Sequence, residues 1–184
     1  MRRLLLVLMV LALAGCASLD VGTANRLRAL DYLNDKLPEL LIAFDLPYGV
    51  QPVEGKSTLH FDIGVAGGER RQLNAVLDLA DADEAAGTLP PPHTARVYFL
   101  FGFSGKDKAA LYDLQVWART LPPGTATVNV SLSPAFCSAS LIDPAKVNVS
   151  VLVALPGDTS LAPLVDRQPL SEAMKGGTLA LCQG

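Results

Sequence analysis

The sequence predicts an α+β domain, mainly antiparallel β and sandwich-like, with one or two packed helices. Residues 57–65, 125–133 and 147–155 alternate apolar with largely polar side chains, the signature of strands with one wetted face, which favours antiparallel pairing. Residues 105–121 instead carry apolar side chains at helical spacing. Strands and helices do not alternate regularly along the chain, so a parallel βαβ architecture is not expected.

The first segment, residues 1–16, reads MRRLLLVLMVLALAGC. Arg2 and Arg3 precede an unbroken apolar run from Leu4 to Leu13, too short to span a bilayer as a helix, which needs about 20 residues. That order of charge, apolar run and small residues is a secretory signal. Leu13-Ala14-Gly15-Cys16 resembles the lipobox of bacterial lipoproteins. The resemblance implies diacylglycerol on the Cys16 sulfur, cleavage after Gly15 and usually acylation of the new amino terminus. Residue 17 is alanine, not the aspartate that holds lipoproteins of enteric bacteria in the inner membrane. The resemblance therefore implies the periplasmic face of the outer membrane, with the inner membrane as the alternative. The expected organisation is a signal peptide at 1–15, a lipidated tether at 16–24 and one periplasmic domain at 25–184.

Removing the signal leaves 169 of the 184 residues, enough for one domain with a real core, and takes the net charge from −3 to −5. A mildly acidic body has no footprint for nucleic acid and no polybasic patch for anionic lipid. Attachment to the membrane is then expected through the acyl chains on Cys16, since two or more chains anchor stably where one does not. With Cys16 lipidated, Cys137 and Cys182 remain, an even pair in an oxidising compartment. A disulfide between them is expected, and two separately buried thiols are the alternative.

Beyond the tether, residues 25–37 place Leu27, Leu30 and Leu33 (or Leu37) on one helical face. Residues 38–47 favour a strand with Leu40, Ile42, Phe44 and Leu46 together, although Pro38 leaves the boundary open. Residues 57–65 and 72–79 form a hairpin around Gly67-Gly68-Glu69-Arg70. Residues 81–93, acidic and then proline-rich, are a surface loop. Residues 94–103 are apolar on both faces, with Val97, Phe99, Phe101 and Phe103 against Tyr98 and Leu100, which predicts a central strand. Ser104 and Asp107 form a capping box for the following helix, which Pro122-Pro123-Gly124 ends. After the strands at 125–133 and 147–155, the tail from 156 shows little periodicity, with a short helix possible at 171–175 and a strand at 178–182.

No catalytic constellation stands out. His60 and Asp62 share a strand face and are a conceivable dyad or metal pair, but no third ligand is evident; His93 closes a triproline loop. No GxSxG, GxxxxGK[ST] or GxGxxG occurs, and Ser104 is read as a helix cap. Asp78, Asp81, Asp83 and Glu84 lack a glycine-turned calcium loop. No cofactor or metal is expected. The sequence supports a lipid-anchored, non-enzymatic envelope protein that binds or supports another envelope component. Two alternatives stand beside it. One is a binding module for a small apolar or lipid ligand held between sheet and helix, for which a cavity under Trp117 would speak. The other is a hydrolase with dispersed catalytic residues.

Overall fold

The computed structural model describes residues 19–80, 89–91, 93–175 and 178–183. The expected signal with Cys16, and the acidic residues Asp81, Asp83 and Glu84, lie outside them. The first elements are helix α1 (Val21–Ala29), a 3-10 turn at Leu37–Glu39, and strands β1 (Leu41–Pro47), β2 (Val50–Pro52), β3 (Thr58–Val65), β4 (Arg70–Leu79) and β5 (Arg96–Phe103). Helix α2 (Gly105–Ala118) follows, then β6 (Ala126–Ser133), β7 (Phe136–Ser138), β8 (Asn148–Ala154), β9 (Ala162–Pro169), the one-turn α3 (Leu170–Ala173) and β10 (Ala180–Leu181).

Seven strands form a curled sheet in the order β6-β3-β4-β5-β1-β8-β9, every neighbour antiparallel. The class is α+β, mainly antiparallel and sandwich-like, as the alternating stretches predict. The β3–β4 hairpin turns at Gly67, whose φ of +71° suits a residue without a Cβ. Strand β5 sits at the middle of the order, between β4 and β1, as its two apolar faces require. Along β1 the side chains from Ile42 to Leu46 are buried on both faces, so the strand reading of residues 38–47 holds from Leu41 onward.

The main core lies on one face of the sheet. Phe44, Phe61, Phe101, Ile63 and Leu77 are essentially sealed from solvent there. Helix α2 closes this side by laying Leu111, Leu114, Trp117 and Ala118 onto β4 and the 3-10 turn. Its start is the predicted capping box: the Asp107 amide donates to Ser104 Oγ at 3.0 Å, and that hydroxyl donates to Asp107 Oδ2 at 2.9 Å. Buried Gln115 extends the helix's hold, its Nε2 donating to the carbonyls of Tyr32 and Asp35. The opposite face of the sheet carries a smaller cluster of Ala43, Leu100, Leu152, Ala154 and Leu161.

A second sheet, β10-β7-β2, stands beside the first. Phe136 of β7 meets Phe44 edge-on, with ring centroids 5.2 Å apart, and joins the two sheets. Cys137 of β7 and Cys182, just past β10, form the expected disulfide, with Cα atoms 4.9 Å apart.

Three expectations need correction. The chain is docked well before residue 25: Leu19 bridges Val165 of β9, the Asp20 amide donates to the Leu164 carbonyl, and Thr23 and Ala24 are buried. The stretch 16–24 is thus no free tether over its second half. The helix expected at 25–37 is displaced to Val21–Ala29, because the Asp20 carboxylate caps it by accepting from the Thr23 amide at 2.6 Å and the Tyr32 hydroxyl donates to the Leu27 carbonyl near its end. The tail, in turn, holds a full strand, β9. Pro163, Pro169 and register shifts against Val149–Leu152 disguise its alternation.

The two edges of the large sheet are treated differently. Strand β9 is guarded by its prolines, by Asp166 and Arg167, and by the Leu19 bridge. Strand β6 holds no charge and no proline, and among the described residues pairs only with β3.

Candidate functional site: an apolar groove at the seam of the sheet

Alternation puts Ile42, Leu59, Val151 and Val153 on the core side of their strands, where each reads as an ordinary core residue. The curl of the sheet gives them a second role. Strands near one end of the order (β6, β3) and near the other (β8, β9) contribute to one cavity of about 300 Å³. Val130 and Leu132 line it from β6, and Leu164 from β9. Leu19, the buried Ala24, Leu27 and Arg28 supply the remaining side from α1 and the residue leading into it.

Eleven of the thirteen lining residues are aliphatic; the exceptions are Arg28 and Tyr32. Tyr32 spends its hydroxyl on the Leu27 carbonyl at 2.8 Å and offers the cavity its ring. Burial pushes its pKa above the usual phenol value, so it stays neutral. Arg28 is exposed, and among the described residues its guanidinium makes no ion pair or hydrogen bond, whereas Arg26 on the same helix pairs with Asp158 at 2.5 Å. The site is an apolar trough with one available cation. Chemically it suits an alkyl chain, for which each methylene taken from water is worth about 0.8 kcal/mol. At this volume it stands at the small end of ligand pockets.

The other sequence candidates fall elsewhere. His60 and Asp62 do share an outward face of β3, but His60 Nδ1 pairs with Asn74 Oδ1 at 2.7 Å and Asp62 accepts from Arg70 Nε at 2.6 Å. The two side chains are thus engaged with strand β4, not with each other. His93 is exposed at the start of the turn into β5. Among the described residues no three His, Cys, Asp or Glu cluster. Trp117 is buried against the sheet under the Arg71 guanidinium, 4.5 Å from the ring centroid, and does not line the apolar groove. The apolar groove lies beneath α1 and is therefore not the cavity under Trp117 for which the ligand-binding reading looked. None of the described helices is long and apolar enough to cross a membrane.

Sequence reasoning missed the groove because its walls come from strands far apart in the chain. One signal was present: Leu27 and Leu30 recur at helical spacing beside Arg26 and Arg28, which gives this segment an apolar side to cover, although Leu30 lies just past the end of α1. Compared with protein-family models, curated proteins and solved structures, the chain matches none of them.

Proposed function

We propose that the protein is a lipid-anchored, non-enzymatic component of the bacterial cell envelope, held on the periplasmic face of the outer membrane through acyl chains on Cys16, and that it works by binding. The lipobox-like Leu13–Cys16 supports the anchor. The observation that carries the binding role is the aliphatic groove under α1, which favours a small apolar or lipid ligand over a protein partner as the envelope component bound. The hydrolase alternative draws no support from His60 and Asp62, each of which is paired elsewhere.

The anchor is tested by Cys16→Ala in cells fed labelled palmitate. The wild-type chain should carry label and sediment with membranes, and the variant should carry none and stay unprocessed or become soluble. A variant that still carries label and partitions with membranes refutes it. The binding role is tested by extracting the purified protein and identifying bound small molecules by mass spectrometry. An alkyl-bearing compound in stoichiometric amount is the expected result; a groove that emerges empty and stays empty on exposure to lipid vesicles refutes it.

A further inference from the structure

The groove opens at the place where the chain would leave the membrane. Leu19 lines it, and only Ala17 and Ser18 separate Leu19 from Cys16. Three residue steps reach at most about 10 Å. Leu19 itself is fixed to the body through its bridge to Val165, reinforced by the Asp20 amide on the Leu164 carbonyl. An acylated Cys16 therefore cannot drift far from the groove, and the groove cannot drift far from the leaflet that holds the acyl chains.

Charge narrows the occupant. A purely hydrocarbon ligand has no use for a cation, yet Arg28 lies at this trough with no partner among the described residues. An anionic amphiphile uses both features: its chain lies along Leu59, Val130, Leu132 and Val153, and its charged head meets the guanidinium. The cavity of about 300 Å³ is at the lower bound for small-molecule pockets, suited to a single chain and not to a whole two-chain lipid. We infer that the groove takes one acyl chain of an anionic phospholipid from the leaflet in which Cys16 is anchored, with Arg28 at the headgroup phosphate. This rests on the anchor reading above and adds the ligand class, its source and the residue that recognises its charge.

The test uses vesicles of phosphatidylglycerol bearing a photoactivatable diazirine on one acyl chain, with crosslinks mapped by mass spectrometry. Both the acylated protein and soluble Cys16→Ala are exposed to them. Label is expected on the peptides carrying Val130–Leu132 and Leu164 in both forms. Val130→Trp fills the groove from an edge strand that accepts aromatic residues and should lose that label. Arg28→Glu, on the exposed side of a helix, should lower labelling by phosphatidylglycerol and leave a phosphatidylcholine probe little changed. Circular dichroism of each variant separates a filled groove from an unfolded chain.

Label spread over the surface, or unchanged in Val130→Trp with its fold intact, overturns the inference. So does groove labelling by free diazirine-palmitate with none from vesicles, which moves the source away from the membrane. Labelling of Cys16→Ala alone, with the acylated protein protected, also overturns it and makes the chain's own anchor the occupant. An amino-terminal peptide without acyl mass overturns the anchor, and with it the leaflet as source, even where the soluble chain is still labelled in the groove.

Discussion

Arg96 clasps Asp45 across the β1–β5 pair: its Nε donates to Asp45 Oδ2 at 2.8 Å and its Nη2 to the Asp45 backbone carbonyl at 2.6 Å. A further bond from Nη2 to the Asn148 carbonyl carries the clasp on to β8. Both side chains are largely shielded, and Asp45 Oδ1 has no partner among the described residues. The neighbouring Tyr98 has its pKa raised by burial first and by the Asp45 charge second, with Arg96 opposing. Removing one member of such a pair leaves a buried charge uncompensated. Arg96→Ala should therefore cost about 3–5 kcal/mol in urea unfolding. The double change Asp45→Asn with Arg96→Met should recover most of that loss. A double variant as unstable as the single one would show that the arginine acts by packing and not by charge.

The second prediction concerns α2. Trp117 is 8 % exposed and packs toward β4, whereas Arg119 is exposed. Trp117→Ala should cost about 3–5 kcal/mol, and Arg119→Ala less than about 0.5 kcal/mol. Equal costs would contradict the orientation of the helix.

The disulfide gives a third. It joins residues 45 apart in sequence, and in the chain-entropy account such a closure is worth about 4 kcal/mol, less any native strain. Replacing both Cys137 and Cys182 by alanine should lower the melting temperature. Amide exchange should rise most at Ala180 and Leu181, because β9 and the buried Leu170 hold the rest of the tail independently. Non-reducing peptide mapping with thiols blocked at isolation should recover the linked Cys137–Cys182 pair, and two alkylated free thiols would contradict the bridge.

A fourth follows from the cap of α1. The Thr23 amide bonded to the Asp20 carboxylate, joined by the Thr23 side chain, holds the pKa of Asp20 below its usual 3.8. A carboxylate with a depressed folded pKa adds stability that is fully present above the unfolded value of 3.8 and is lost as pH falls through the folded one. Amide protection in α1 should accordingly fall as pH drops from 3.8 through the folded value, and level off below it. Asp20→Asn keeps a capping oxygen but cannot titrate, so its protection should stay flat over the same range. A parallel fall in the variant would place the acid sensitivity elsewhere.

Much of the scaffold was legible because local periodicity and burial agree. The alternation at 57–65, 72–79, 125–133 and 147–155 appears as β3, β4, β6 and β8, and the box at Ser104 and Asp107 starts α2. Legibility failed where a long-range partner decides. The leucine spacing announces a helix near Leu27, but its bounds at Val21–Ala29 emerge only once Asp20 caps it and β9 receives its side. Strand β9 breaks its own pattern with two prolines and a bulge. The groove was illegible for a related reason: Leu59 and Val153 look like core in their own strands, and only the curl of the sheet brings them to a shared cavity with Arg28.

The unequal edges of the large sheet set a limit on growth. Because β9 is closed by Leu19, prolines and charge while β6 is bare, another strand can be added on one side only. Two copies meeting β6 to β6 would use up both open sides at once and leave no site for a third. Association through the sheet therefore terminates at a pair instead of propagating into a fibre. Neutralising Asp166 and Arg167 would not lift that stop, because the two prolines and the Leu19 bridge would still close β9.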